Sequence, residues 1–396
     1  MEGNNFLFYF FIIFASAKVL GELCVRVKVP PIIGELMAGV LLGNYVLGII
    51  DTSNHVLMSF AEIGVIFLMF HVGLEIRVKD LFAVGKTAVL VGILGIIFPL
   101  IMGFVTMFFL GYKVVESLFV ATAILATSVG ISVKVLQDMG LIKHRVAYIV
   151  LGAAVLDDVL ALIVLSLVKG LGKGEFQSVE FILLVAESVA FVWFLIAWGP
   201  KLAFRTRYWI ERLNIPEGPF VISIILCLGL AELADIIGLA AIIGSFMAGI
   251  VIDELAGVYN LENKVKYVNE FLLPFFFVMM GAHLNPRVFF KPRLLFLVMV
   301  ISLVALLSKV FSTALACWKE NWKMRVQTGV CMIPRGEVGI IVGLIGLSAQ
   351  IITEDMYAVV LGMSMLTTLI TPPLILLAFR KERSLFLNKK DSSPSK

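Results

Sequence analysis

Thirteen apolar runs, each long enough to cross a bilayer, are the feature of this 396-residue chain that most constrains its fold. A transmembrane helix needs about 20 mostly apolar residues, and inside lipid only helices and closed barrels satisfy their backbone hydrogen bonds. Charged residues are 15% of the chain, whereas a soluble domain carries about 25%. We therefore predict an all-α polytopic membrane protein with thirteen transmembrane helices. The predicted spans, numbered 1 to 13, cover residues 6–24, 31–50, 56–75, 86–110, 116–136, 146–168, 179–200, 217–236, 238–254, 270–285, 294–317, 324–347 and 356–379.

The basic residues predict how these spans are oriented. With the N-terminus outside, 23 of the 32 Lys and Arg residues fall in inside loops, in the tail or at the inside ends of spans, six fall in outside loops and three lie deeper within spans. Cytoplasmic loops carry the excess of Lys and Arg. We therefore predict an outside N-terminus, a cytoplasmic tail at residues 381–396 and a location in the cell membrane. The stretch Ala15-Ser16-Ala17 is typical of a signal-peptidase site, but no basic residue precedes it, so we expect span 1 to be retained.

Two short patterns recur along the chain at nearly the same offset. The stretch IIGELMAGV at 32–40 returns as IIGSFMAGI at 242–250, and Glu62, which precedes Gly73 in span 3, returns as Glu270, which precedes Gly281 in span 10. The span numbers of the two copies differ by seven, an odd number, so the copies run in opposite directions across the membrane. Inverted repeats of this kind mark secondary transporters, whose substrate site lies near the midplane on interrupted helices. We predict an inverted repeat of spans 1–6 and 8–13.

The repeat also locates the expected substrate site. Span 5 contains Thr127 and Ser128, and the offset that joins Glu62 to Glu270 leads from them to Arg335 and Gly336 in the IPRGEVG segment of span 12. Pro334 has no backbone donor and glycine has low helix propensity, whereas Thr and Ser can bond freed backbone groups. We therefore predict that spans 5 and 12 are interrupted helices that cross near the midplane.

Charged residues inside the spans are the strongest functional signal, because a charge at bilayer depth costs at least about 2.5–3.5 kcal/mol. Asp157 and Asp158 are consecutive in span 6 and project about 100° apart around a helix. Lys309, deep in span 11, is the obvious partner for one of them. We assign it to Asp157 and leave Asp158 facing the ion path, although geometry alone permits the swap. For Arg335 and Glu337 we expect a local ion pair that holds span 12 in shape, with direct ion handling by Glu337 as the alternative.

A carboxylate in a partly hydrated cavity binds either a proton or a small cation, because both neutralise it. Desolvation and a nearby lysine shift its proton affinity in opposite directions, so exchange near neutral pH is feasible. Competition between a proton and a cation at one carboxylate, combined with an alternating-access fold, predicts an antiporter. We expect no cofactor, and the expected partners are monovalent cations, protons and the lipid bilayer, without nucleic acid.

Other functions fit the same residues less well. A channel requires neither an inverted repeat nor a titratable carboxylate, and the chain has no filter-like repeat. A sodium-coupled symporter on a related fold would need additional polar residues in its cavity for a bulky substrate. An intramembrane aspartyl protease needs carboxylates that face each other and share a proton, which adjacent aspartates on one helix cannot do. We therefore predict transport and no enzymatic activity, with the symporter as an alternative.

Five motifs follow one another along the chain: PPIIGELMAGVLLG (30–43), FHVGLEI (70–76), ATSVGISVKVLQDMG (126–140), LGAAVLDDVLALIVL (151–165) and PRGEVGIIV (334–342). In this order they resemble the motifs of the cation:proton antiporter-2 family, and of NapA-type sodium/proton antiporters in particular. The resemblance extends over residues 6–380.

The resemblance implies a homodimer whose moving core slides against a scaffold, elevator fashion, in electrogenic exchange of protons for sodium. It implies that Asp158 binds the ion, and that Asp157 pairs with Lys309 and also belongs to the ion- and proton-binding site. Thr127 and Ser128 at the crossover complete the implied sodium site. Selectivity among sodium, lithium and potassium stays open, so potassium/proton antiport is an alternative. The implied domains are a scaffold at 1–80 and 212–290, a core at 83–170 and 292–380, and a linking span 7 at 176–205.

Overall fold

A computed structural model describes residues 6–27, 29–76, 78–173, 186–195, 197–199, 201, 216–252, 257–283, 286, 290–348, 350–380 and 382. Within this part of the chain the regular secondary structure consists of α-helices. Eight helical segments of these residues are long and apolar enough to cross a membrane. The helices are α1 (Phe6–Arg26), α2 (Pro31–Leu42), α3 (His55–Glu75), α4 (Val78–Phe109), α5 (Val114–Leu125), α6 (Val129–Asp138), α7 (Arg145–Lys173), α8 (Gly218–Ile236), α9 (Ala241–Val251), α10 (Leu261–Ala282), α11 (Pro292–Ala316), α12 (Trp322–Cys331), α13 (Glu337–Ser348) and α14 (Glu354–Ala378).

Three predicted spans differ clearly from these helices in length. Span 4 was predicted from residue 86, but α4 begins at Val78, because the charged residues of its first turns lower the hydropathy there. Span 2 was predicted to reach residue 50, but α2 ends at Leu42 and the chain turns, with Gly48 at a φ of 64° and its N–H bonded to the Gly43 carbonyl. The apolar residues after Leu42 suggested a continuing helix, but the chain folds back, and the carbonyls of Leu41 and Leu42 accept backbone N–H groups from residues 47, 49 and 50. Span 10 was predicted from residue 270, but α10 begins at Leu261. Its first turns are polar, so a hydropathy reading starts too late.

Parts of two other predictions lie outside the described residues. Of span 7, residues 186–195 and 197–199 are described, and they are helical. Of the predicted tail, only residue 382 is described.

The described residues cluster into two compact units, each assembled from both halves of the chain. The first holds those within Met1–Val27, Gly34–Ala83 and Asp158–Arg287, and the second holds those within Lys28–Ile33, Val84–Asp157 and Val288–Lys396. The boundary falls within α7, between Asp157 and Asp158.

Within the first unit, glycines of α2 and α9 make matching contacts. A Cβ added to Gly34 of α2 would overlap the backbone carbonyl of Leu20 in α1, and one added to Gly244 of α9 would overlap that of Leu230 in α8. The two glycines occupy equivalent places in the repeated IIG stretch, and the two carbonyls are separated along the chain by the same offset. Small residues let membrane helices pack backbone to backbone, so the repeated motif serves the same packing function twice.

A second pair of contacts has the same symmetry. A Cβ on Gly39 of α2 would lie 2.8 Å from Cα of Gly281 in α10, and a Cβ on Gly249 of α9 would lie 2.7 Å from Cα of Gly73 in α3. Gly39 and Gly249 are equivalent positions of the first repeated pattern, and Gly73 and Gly281 are equivalent positions of the second. Each copy of the first pattern therefore packs against the opposite copy of the second pattern.

Candidate functional site

Two helical interruptions in the second unit bond to each other. α5 ends at Leu125 and α6 begins at Val129, while α12 ends at Cys331 and α13 begins at Glu337. The backbone N–H of Ser128 donates to the Pro334 carbonyl at 2.8 Å, and the Ser132 hydroxyl donates to the Cys331 carbonyl at 2.7 Å. Backbone groups freed by the interruptions must find partners inside the protein. Each interruption supplies partners for the other.

Asp157 of α7 is bound to this crossover. Its Oδ2 accepts hydrogen bonds from Lys309 Nζ of α11 at 2.7 Å and from Thr127 Oγ1 at 2.8 Å. The aspartate is 1% exposed and the lysine is fully buried. Charge-assisted bonds of this length are among the strongest that side chains form. A negative charge is thus held at the point where the α5–α6 interruption meets α7.

Arg335 lies in the non-helical segment between α12 and α13 and is fully buried. Its Nη1 donates to Thr127 Oγ1 and to the Met332 carbonyl, both at 3.2 Å, and its Nη2 donates to the Ala305 carbonyl at 3.3 Å. Because a guanidinium only donates, the Thr127 hydroxyl accepts from Arg335 and gives its own proton to Asp157. Thr127 therefore joins the two buried charges.

The backbone of Arg335 is held by α14. Its N–H donates to Thr367 Oγ1 at 3.2 Å, and its carbonyl accepts from Thr368 Oγ1 at 2.9 Å. Sequence reasoning did not single out these two threonines. The internal repeat contained a signal for them, because the offset of the IIG stretch leads from Asp157 to Thr367, and both contact an interruption. Gly336 follows Arg335, and its carbonyl accepts from Ile340 N in the first turn of α13 at 3.3 Å.

The other predicted site residues occupy the same region of the chain. Asp158, next to Asp157 on α7, is buried at 8% exposure, and Ser128 at 6%. Glu337 is the first residue of α13, but its side chain lies outside the described residues, so its pairing with Arg335 remains a prediction. When all four side chains are ionised, the two negative charges of Asp157 and Asp158 balance the two positive charges of Lys309 and Arg335. A proton or a cation added to this group changes its net charge.

We expect Thr127→Val to lower the free energy of unfolding by about 1–3 kcal/mol, because it leaves a buried arginine donor and a buried carboxylate each one partner short. The matched control is Thr122→Val. Thr122 is similarly buried in α5 but bonds only the Leu118 carbonyl one turn away, at 2.8 Å. Such a back-bond within one helix adds little stability, and its loss leaves no charged group short of a partner. Thermal unfolding in detergent measures both. Equal losses would mean that Thr127 does not join the two charges.

The start of the aspartate-bearing helix carries a titratable cap. His144 Nδ1 accepts the backbone N–H of Val146 at 3.3 Å, and its ring packs edge-on against Phe379. Burial lowers the pKa of His144, the Glu382 carboxylate opposes that effect, and the Lys323 ammonium adds to it. Because protonated imidazole cannot accept a hydrogen bond, the cap exists only with neutral His144.

This cap predicts a pH-dependent stability. Since the pKa of His144 is lower in the folded protein than in the unfolded chain, where it is about 6.5, the unfolded chain takes up the proton first as the pH falls. Stability is therefore expected to decline below about pH 6.5. His144→Asn, which keeps a capping acceptor without titrating, should flatten that decline in thermal unfolding scans. The exposed His55 provides the control, His55→Asn. A decline unchanged by His144→Asn would contradict the prediction.

Known proteins match this chain over nearly its whole length. The family model of the transmembrane sodium/hydrogen exchanger matches residues 10–377. The high-affinity Na(+)/H(+) antiporter NhaS3 of Synechocystis sp. is 31% identical over 97% of this chain and 91% of its own length. The Na(+)/H(+)-K(+) antiporter GerN of Bacillus cereus is 31% identical over 95% of this chain and 96% of its own length.

A solved structure shows the same fold. The sodium proton antiporter MjNhaP1 of Methanocaldococcus jannaschii superposes with a TM-score of 0.69, covering 96% of this chain and 97% of its own, at 18% sequence identity. The helical architecture is therefore shared with a protein of low sequence identity.

Proposed function

The chain belongs to the sodium/hydrogen exchanger family of monovalent cation:proton antiporters, and from this premise we propose that it exchanges Na⁺ or Li⁺ for H⁺ across the membrane. It is a multi-pass membrane protein, and members of its family are transporters rather than enzymes. The proposal rests on one observation above all: two adjacent buried aspartates, of which Asp157 is bonded to a buried lysine and a threonine.

The exchange follows from how the two aspartates differ. Asp157 is neutralised by Lys309 at 2.7 Å, whereas Asp158 provides the exchangeable charge. A bound proton or a bound cation neutralises Asp158 equally well, so the two compete for it and are carried in opposite directions. Thr127 and Ser128 contribute oxygens at the crossover, and Arg335 and Lys309 offset the negative charge when the site is empty. Uncompensated charge within a bilayer is costly, so an empty site with both aspartates ionised needs these two cations.

The proposed architecture has thirteen transmembrane helices, an outside N-terminus and a cytoplasmic C-terminus. The inverted repeat is supported by the glycine contacts, which recur at the same offsets as the two sequence patterns. We assign residues 1–80 and 212–290 to a scaffold that forms a homodimer, 83–170 and 292–380 to a core that moves as an elevator, 176–205 to a linking helix and 381–396 to a cytoplasmic tail. Bonds between the two interruptions favour a core that moves as one piece.

The test uses the purified protein in liposomes with an imposed pH gradient and a trapped pH dye. Sodium or lithium should collapse the gradient and choline should not. Potassium is included because the relative GerN is named a Na(+)/H(+)-K(+) antiporter, and a response to potassium alone would favour potassium/proton antiport. If no cation moves protons at any pH tested, the proposal is wrong and a sodium-coupled symporter becomes the next candidate.

The same liposomes test whether exchange is electrogenic. Competition at Asp158 alone exchanges one proton for one cation and moves no net charge, so electrogenic exchange requires a second proton, as the resemblance to antiporters that exchange two protons for one sodium implies. Moving one net charge is worth about 2.3 kcal/mol per 100 mV, so a potassium–valinomycin clamp should change the sodium-driven rate as the clamped voltage changes. A rate that does not respond to voltage would show electroneutral exchange.

A further inference from the structure

Helix α4 approaches the Lys309–Asp157 pair at Gly95. A Cβ added there would lie 3.0 Å from Lys309 Nζ, 3.5 Å from Asp157 Oδ1 and 3.8 Å from Lys309 Cδ. A separation of 3.0 Å is shorter than carbon–nitrogen contact normally permits, since optimal non-bonded separations are about 3.5–4.0 Å. The ammonium can occupy its present position because residue 95 has no side chain.

The Asp157 oxygen that faces α4 is not the oxygen that binds the lysine. Both hydrogen bonds to Asp157 reach Oδ2, from Lys309 and from Thr127. The other oxygen, Oδ1, is buried and has no hydrogen-bond partner among the described residues. It is Oδ1, together with the ammonium, that faces Gly95. The backbone of α4 is therefore a wall of the site, and its distance from Lys309 depends on one missing methyl group.

We propose that Gly95 is a positioning residue of the exchange site, whose bare Cα gives the Lys309 ammonium the space that it needs to close on Asp157. The inference deepens the proposed function and rests on it, since it assigns Gly95 to the same exchange reaction. It adds to the site a residue of α4, which contributes none of the charges.

Adding a methyl group displaces the ammonium rather than the helix. The new Cβ is fixed to the α4 backbone, whereas Nζ ends a flexible four-carbon chain, so the 2.7 Å bond to Asp157 is the contact that lengthens. The other charged residues of the site are Asp158, next to Asp157 on α7, and Arg335, which reaches the Asp157 carboxylate through Thr127. Neither of them supplies any of the three atoms nearest the added methyl.

Displacing the Lys309 ammonium should change KM and kcat in defined directions. Lys309 repels a cation bound at Asp158, so moving its charge away raises the affinity for sodium and lowers KM. The same tighter binding slows release of the cation and its replacement by a proton, so kcat falls. A general packing defect would instead lower kcat without lowering KM, and a blocked cation site would raise KM.

Gly92→Ala is the matched control. Gly92 lies one turn earlier on α4, and a Cβ there would meet Leu156 Cβ at the same 3.0 Å, next to Asp157 in sequence. Leu156 Cβ is fixed to its backbone, whereas Lys309 Nζ ends a flexible chain, so Gly92→Ala is the more severe steric insertion, but its nearest neighbour is an apolar side chain. A fall in KM that only Gly95→Ala shows reports contact with the ion pair.

The experiment measures sodium-dependent proton exchange in liposomes for wild type, Gly95→Ala and Gly92→Ala, with KM and kcat determined separately. We expect KM and kcat of Gly95→Ala each to fall about threefold or more, in the range of coupling between residues in contact, while Gly92→Ala lowers only kcat and keeps KM within about twofold of wild type. An unchanged or higher KM in Gly95→Ala, or the same change in both variants, would overturn the assignment.

A second measurement does not depend on transport. In a double-mutant cycle of thermal unfolding, Gly95→Ala should destabilise the wild-type background and have little effect in a Lys309→Ala background, where no ammonium remains to be displaced. Additive effects would overturn the contact between Gly95 and Lys309. Inactive wild-type protein would refute the proposed function alone, because the cycle still decides the role of Gly95 in placing the lysine.

Discussion

Asp158→Asn is expected to reduce cation-driven proton exchange to the level of liposomes without protein, while the protein stays folded. The amide has nearly the same shape as the carboxylate, but it binds no proton near neutral pH and carries no charge to attract sodium. Because Asp158 is buried at 8% exposure next to Asp157, bulk water cannot take over its role as the charged cation ligand. The dye assay measures the rate, and thermal unfolding verifies that the variant is folded.

Asp355→Asn is the control for the Asp158 substitution. Asp355 is exposed at the start of α14 and lies 3.4 Å from Lys291, so the same chemical change there should leave exchange intact. Wild-type rates in Asp158→Asn would contradict the account and make Asp157 the first alternative for the ion-binding carboxylate.

Lys309→Ala is expected to produce the largest loss of stability, about 3–5 kcal/mol, because it leaves Asp157 buried without its charge partner. Both side chains are essentially inaccessible to solvent, so water cannot compensate. Adding Asp157→Asn to Lys309→Ala should recover much of the loss, because the uncompensated charge is then gone. Thermal or chemical unfolding in detergent measures wild type and both variants.

The control for the buried pair is a partly exposed one of similar length. Lys134 and Asp138 of α6 lie 2.8 Å apart with side chains 19% and 30% exposed, and pairs open to solvent are worth at most about 1 kcal/mol. Lys134→Ala should therefore cost much less than Lys309→Ala. Equal losses, or no recovery in the double variant, would show that the Lys309–Asp157 contact does not carry a compensated charge.

The helical architecture was predictable because the bilayer removes most alternatives. Lipid leaves backbone groups no partner outside the chain, so an apolar run of sufficient length predicts a helix without knowledge of its neighbours. The residues that weaken two of those helices were also readable, since Pro334 and Gly336 act through local backbone chemistry. Helix ends were less predictable, as α2 and α10 show, because hydropathy reports burial in lipid rather than hydrogen bonding along the chain.

The residues of the candidate site were identifiable from sequence, because charges are expensive in a membrane, but their contacts were less so. Sequence reasoning favoured Glu337 as the partner of Arg335 because it is nearby in the chain. In the structure the Arg335 guanidinium reaches Thr127, which is far away in the sequence. The internal repeat had matched those two positions as equivalent points, and equivalent points of two crossing helices meet. Gly95 gave no signal, because a glycine in an apolar span is unremarkable until its neighbours are known.

The most direct test of the central claim is whether a proton gradient drives sodium uptake. Liposomes containing the protein and acidic inside would be placed in alkaline buffer with ²²Na⁺, and the accumulated sodium would be compared for wild type and Asp158→Asn. The account predicts that wild type concentrates sodium above its outside level, that dissipating the pH gradient releases it, and that Asp158→Asn accumulates none. Sodium that only equilibrates, or enters equally with Asp158→Asn, would contradict exchange of sodium for protons at Asp158.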